Sequence, residues 1–242
     1  MKLNFSRNTM NINHNPINNE TDSAKNRLIE AAYKLFSERD PSDISVRELA
    51  KEANVNIASI NYYFESKEGL YFYIINLIAD TMRAKIDSFY EGFLAKKEAF
   101  ERFPNNSDKM KYFYMEAFKS IIEYGARAML ETLSKNNFMH RIMLREQMMP
   151  GPAFSLLYEK SLQPLFTIVD DIISHIDTKS SEKTIKIRSH ALYGQIIIFV
   201  CTYGTITKRI KSENYTQQCI EEIIAVVKEH TEIILKSFIE GN

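Results

Sequence analysis

The sequence predicts an all-α protein, on three observations. Its 242 residues hold just 7 Gly and 6 Pro, too few for a turn-dense β architecture. Apolar residues recur at i, i+3 and i+4 through most of the chain, the period of a helix with one buried face. No stretch shows the sustained alternation of a half-buried strand.

The elements follow in order. Residues 1–22 carry seven asparagines and no apolar period, and read as a disordered arm. From Ser23 a first helix buries Leu28, Ala31, Ala32, Leu35 and Phe36. Asp40-Pro41-Ser42-Asp43 breaks it. Ser45 and Glu48 form an S-x-x-E capping box that opens a short second helix, with Val46, Leu49, Ala50 and Ala53 inward. Asn54 stands where the chain needs a residue tolerant of left-handed backbone. A third helix covers about 56–64. Ser66 caps a fourth, with Leu70, Ile74, Leu77, Ile78 and Thr81 inward, that continues toward Phe100. The Pro-Asn-Asn-Ser-Asp run at 104–108 is a loop. Further helices are expected over about 109–134, 138–149, 154–176 with a kink at Pro164, 182–211 and 216–239.

Composition narrows the function. Lys plus Arg equals Asp plus Glu at 31 each, which excludes a polycation or an acidic tail. Cys201 and Cys219 form no CxxC pair and fit a reducing cytoplasm. The N-terminus shows no secretory signal. Residues 191–207 lack charge but are short for a membrane span, and read as a helix buried in protein. The five histidines show no metal-binding spacing. No phosphate loop, dinucleotide fingerprint or nucleophile signature is present. No metal, no cofactor and no enzymatic activity is therefore expected.

The informative segment is 44–67. Two short helices flank a tight turn at Asn54-Val55-Asn56, and Leu49, Ala50, Ala53, Val55, Ile60 and Phe64 glue them together. Ala58 and Ser59 leave the front of the second helix with little bulk, as a helix entering a DNA major groove requires, and Ile57 beside them is a further DNA-contact candidate. Asn56, Asn61, Tyr62 and Tyr63 are suited to phosphate contacts. Lys67 opens the next helix, whose N-terminus favours an anion.

This segment resembles the TetR/AcrR family of bacterial transcriptional regulators. The matching residues are Ser45, Arg47, Leu49, Ala50, Ala53, Val55, Asn56, Ala58, Ser59, Ile60, Tyr63, Phe64, Ser66, Lys67 and Leu70. Asn54 replaces the turn glycine, and Asn61 a usual tyrosine. Leu144-Arg145-Glu146 through Pro150 and Phe154 is similar to the R-E-x-x-x-P stretch of CecR-type regulators. The resemblance implies a helix-turn-helix head over 23–82 and a ligand-binding and dimerisation domain over 83–242. It places Arg47 toward the groove, where arginine pairs with guanine. Ser45 is a cap first and a phosphate contact second.

Within the second domain, Ile220, Ile223, Ile224, Val227, Thr231, Ile234, Leu235 and Phe238 form one helical stripe, and Ile196, Ile197, Ile198, Phe199 and Val200 make the preceding helix apolar nearly all round. Two such helices per subunit suit a four-helix interface, with Ile196, Phe199, Val200, Ile220, Ile224, Val227 and Ile234 as its contacts in a homodimer. Phe113, Phe118, Met139, Met143, Arg145, Phe154, Tyr158, Tyr193 and Tyr203 are candidates to line a pocket for a small apolar or amphipathic ligand. Such residues also serve as plain core, and Arg145 with Glu146 also suits a tie between helices.

The expected function is a regulator, a repressor in the commonest family pattern, that leaves a palindromic double-stranded DNA operator when a small molecule binds. One feature argues against DNA binding: residues 1–80 hold 9 Lys/Arg and 11 Asp/Glu, a balance of 9 − 11 = −2. It leaves open a dimeric helical small-molecule-binding protein or enzyme with a vestigial head. A ligand-independent DNA-bound activator or DNA-organising protein also stays open.

Overall fold

The computed structural model describes residues 21–102, 107–133 and 138–241. Among them there is no strand, and eleven α-helices follow one another: α1 Thr21–Glu38, α2 Val46–Glu52, α3 Ala58–Phe64, α4 Lys67–Glu101, α5 Ser107–Leu133, α6 Phe138–Met148, α7 Pro152–Leu157, α8 Gln163–Ile176, α9 Glu182–Cys201, α10 Tyr203–Arg209 and α11 Gln217–Glu240. The expected arm lies outside the described residues apart from its last two, which already belong to α1. Most of the expected 104–108 loop lies outside them too.

Local chemistry sets the ends. Asp40 accepts the Ser42 amide at 2.8 Å and starts a one-turn 3-10 helix at Pro41–Asp43. Ser45 and Glu48 close the capping box at 3.2 and 3.3 Å. Asn54 is left-handed, with φ 50°. Ser181 and Thr216 cap α9 and α11 by accepting the amides three residues on.

Two expected helices are interrupted. Pro164 has no N–H to offer, and the preceding turn widens to a π-helix at Tyr158–Leu162 that joins α7 to α8. The expected 182–211 helix breaks at Thr202, whose hydroxyl bonds back to the Ile198 carbonyl at 2.6 Å while its backbone leaves the helical region.

Two cores result. One joins α1, α2, α3 and the first half of α4, and takes Ile142 and Met143 from α6, Ala153 and Leu157 from α7, and Leu162. Three short helices bury too little surface alone, so α6 and α7 complete the head. The other joins the far half of α4 with α5, α8, α9 and α11. Helix α4, at 35 residues about 50 Å long, runs through both.

The second core corrects the expected interface. Ile196, Ile220, Ile224 and Val227 are buried inside the subunit. Helix α5 covers the α11 stripe, so these side chains cannot reach a second copy. Phe199 and Val200 pack partly against the same core, and Ile234 stays exposed. The α5–α11 seam is edged by ion pairs: Arg127 with Glu221, Lys119 with Glu232 at 2.5 Å and Lys228 with Glu123 at 2.5 Å.

The apolar residues left outside lie one face further round. On α9 they are Ile187, Ala191 and Ile198, with Gly194 between them, and on α11 Val226, Ile233 and Ile234. Steps of three and four residues place 187, 191, 194 and 198 on one face.

Candidate nucleic-acid interface and ligand cavity

The turn between α2 and α3 is held from both sides. The Val55 amide reaches back to the Ala50 carbonyl at 3.0 Å. The Asn56 side chain accepts the Ala58 amide at 2.9 Å and closes the turn that leads into α3. Ile60 and Phe64 point into the head core, leaving Ile57, Ala58, Asn61 and Tyr62 exposed. Tyr62 is 78% exposed, its ring edge-on to Tyr63 at 4.8 Å. Ser59 and Tyr63 are half-buried.

After α3 the chain turns through Glu65, at φ 65°, directly into α4. Gly69 is essential there: a Cβ would lie 2.0 Å from the Phe64 carbonyl oxygen, a backbone atom that cannot move aside. The sequence reading missed this glycine because it sits inside a helix, where glycine usually signals nothing.

Most cations of the head are engaged inside it. Lys34 pairs with Glu52 at 2.6 Å and Arg39 with Glu48 at 2.5 Å. Arg27 donates to the Ala53 carbonyl at 3.0 Å, and Lys25 lies 5.0 Å from the Tyr73 ring centroid. Lys67, expected at a phosphate, donates to the carbonyls of Pro41 and Ile44 at 2.7 and 3.0 Å. It fastens the 3-10 turn to α4, and most of its donor capacity is used there. Among the described residues Arg47 and Lys51, both exposed on α2, are the head cations with no such partner.

The expected ligand residues separate. Met139, Met143 and Tyr193 line a cavity of about 90 Å³ bounded by α4, α5, α6, α8 and α9. The others do not. Phe118 is fully buried in the core, and Phe113 stacks on Phe93 and Phe100 at 5.8 and 5.0 Å. Phe154 packs against the head core beside Tyr158, which is exposed. Tyr203 stacks edge-on with Tyr215. Arg145 donates to the Arg39 carbonyl at 2.8 Å, so it ties α6 to the end of α1 and faces away from the cavity.

The sequence reading missed the rest of the lining: Met82, Lys85, Ile86 and Phe89 on α4, and Ile121, Tyr124, Gly125, Ala128 and Met129 on α5. Both sets follow the helical period, but their partnership depends on the α4–α5 crossing. Burial, with the Lys85 ammonium nearby, holds His140 down at about 4. Thr132 gives its own proton to the Ala128 carbonyl at 2.7 Å and sits 3.1 Å from His140 Nδ1.

Residues 28–74 match the family described as bacterial regulatory proteins, tetR family. Residues 118–238, half of the chain, match the C-terminal domain of the HTH-type transcriptional dual regulator CecR. The chain belongs to the TetR family. This TetR-family regulator is 28% identical over 218 residues to the dual regulator CecR of Shigella flexneri, covering 89% of this chain and 92% of that one. A stretch of 71 residues, 29% of each chain, is 42% identical to YttP of Bacillus subtilis (strain 168).

Two solved structures share the fold at TM-score 0.50. One is a TetR/AcrR-type transcriptional regulator from Aquifex aeolicus VF5, 19% identical, covering 87% of this chain and 99% of that one. The other is an alanine-substituted variant of HlyIIR, 15% identical, covering 87% and 97%. The protein is thus a DNA-binding transcriptional regulator. Among the described residues no helix is long and apolar enough to cross a membrane.

Proposed function

We propose that this regulator binds a near-palindromic operator as a homodimer and leaves it when a small molecule fills the α4–α5–α6 cavity. Each α2–α3 pair enters one major groove, with Arg47, Ile57 and Ala58 toward the bases. Ser45, Asn56, Ser59, Asn61, Tyr62 and Tyr63 lie along the backbone. The subunits meet through the outward faces of α9 and α11, at Ile187, Ala191, Ile198, Val226 and Ile233, apolar groups left exposed on two neighbouring helices. Acting on DNA places the protein in the cytoplasm.

One observation supports the link between cavity and head. Helix α6 presents Met139, His140 and Met143 to the cavity, and from the same eleven residues it extends Arg145 to α1 and Glu146 to Tyr71 on α4. A molecule that displaces α6 must move both clamps. The ligand need only prefer the form whose heads are wrongly spaced, and that difference in affinity sets the size of the response. Repression is the action proposed where the operator overlaps a promoter. The Shigella relative's description as a dual regulator supports activation at other positions.

Selection of sites from random DNA with the full-length protein tests this reading. The expected product is an inverted repeat with half-site centres about one helical turn apart, roughly 34–36 Å. Enrichment of a single unrepeated half-site, or of none, contradicts it.

A further inference from the structure

The lining of the cavity names the chemistry of its occupant. Its walls are mostly apolar, and Met82, Met129, Met139 and Met143 give it adaptable sides that widen around a guest larger than the present 90 Å³. Four polar side chains line it, Lys85, Tyr124, His140 and Tyr193, and no acidic residue is among the lining.

Two of the four, Tyr193 and Lys85, face the cavity without a hydrogen bond or ion pair among the described residues. Tyr193 is 6% exposed, and its hydroxyl has no hydrogen bond among the described residues. Burial pushes that hydroxyl up to about 12, so it stays protonated and able to donate. The hydroxyl lies against Gly125, where a Cβ would be 3.1 Å away, so the missing side chain at 125 keeps this corner open. Lys85 makes no ion pair among the described residues. The acid nearest to it on its own helix, Asp87, is taken by Arg83 at 2.7 Å. An ammonium at the rim of an apolar chamber attracts a carboxylate whose apolar body is held inside.

We infer that the cavity selects organic anions, molecules with an apolar aromatic or short aliphatic body and one carboxylate that pairs with Lys85 beside His140. The Tyr193 hydroxyl, deeper in the wall, offers a further donor to an oxygen on that body. This rests on the cavity being the ligand site, as proposed above. A neutral guest of the same shape keeps the apolar contacts but leaves Lys85 unpaired. A cationic guest brings a second positive charge to Lys85.

The test uses the full-length protein and three probes of one shape: 4-butylbenzoate, 4-butylbenzamide and 4-butylbenzylamine, titrated calorimetrically at neutral pH. The benzoate is expected to bind about tenfold tighter than the amide, with the amine weakest. Lys85→Met, at an exposed position where folding is not at stake, should remove that preference and leave the amide unchanged. Ala128→Met, which adds bulk to the wall, should weaken benzoate and amide alike.

Amide or amine binding as tightly as benzoate, or a benzoate preference that survives Lys85→Met, overturns the inference while the cavity stands as a ligand site. Benzoate binding that ignores Ala128→Met places the anion elsewhere and overturns it as well. Failure of all three probes to bind the folded protein overturns the cavity reading and the inference together.

Discussion

The Tyr71 hydroxyl donates to the Glu146 carboxylate where α6 packs on the head end of α4. Tyr71 stands on α4 and Glu146 on α6, and both are buried. One residue earlier, Arg145 holds the Arg39 carbonyl at the end of α1. The R-E pair of the CecR-type motif therefore addresses two head helices from one turn of α6. Burial, reinforced by the Glu146 carboxylate, raises the Tyr71 phenol well above its ordinary range, so it remains the donor.

Tyr71→Phe leaves the Glu146 carboxylate buried without its donor. The expected loss is about 1–3 kcal/mol in urea unfolding. Adding Glu146→Gln should recover part of it, because an amide tolerates burial better than an unpaired charge. An unchanged urea midpoint in Tyr71→Phe would mean that this contact does not hold α6 to α4.

Arg47→Ala and Lys67→Ala should now differ in kind. Arg47 is exposed and has no partner among the described residues, so its loss is expected to lower operator affinity by about tenfold or more with no change in thermal unfolding. Lys67 bridges two backbone carbonyls, and its loss should destabilise the head by about 1–3 kcal/mol. Anisotropy titrations beside melting curves separate the two; equal melting points for both variants would return Lys67 to the DNA surface.

His140 gives a pH dependence with a defined sign. Its folded value near 4 lies below the usual 6.5, so the unfolded chain takes up the proton first as pH falls. Stability from this group is complete above 6.5 and falls as pH drops from there toward 4. The contribution at pH 5 is about 2 kcal/mol less than at pH 7. His140→Gln should be flatter than the parent over that window in urea unfolding; parallel curves would show that His140 is not held neutral.

Ile198→Glu and Ile220→Ala separate the outer face from the inner one. The first is expected to give a helical monomer by native mass spectrometry, because Ile198 is 53% exposed on α9. The second should stay dimeric and lose about 2–5 kcal/mol of stability, because Ile220 lies in the subunit core. A dimeric Ile198→Glu would move the interface off α9.

Much of the head was legible because its signals are local. The Ser45 capping box, the Asn54 turn and the Ile60 and Phe64 glue all act within a few residues. The all-α class followed from composition and period, and the family from motif residues in 45–70. Pairings between distant segments were not legible. The α11 stripe shows that Ile220 and Val227 are buried but not by what, and α5 rather than a second subunit covers them. Lys67 shows the same limit: its carbonyl partners lie more than twenty residues back, at Pro41 and Ile44. The cavity needed the crossing of α4 over α5, which no single helix pattern records.

The most direct test is binding of the purified protein to DNA from upstream of its own gene, by gel shift across a salt series with random-sequence competitor. Two heads, each with Arg47 and Lys51 exposed and without a partner among the described residues, predict retention of two protomers per site and a slope of log affinity against log salt of about −4. No retention over competitor by a folded dimer, at that DNA and at sites selected from random sequence, would contradict the account.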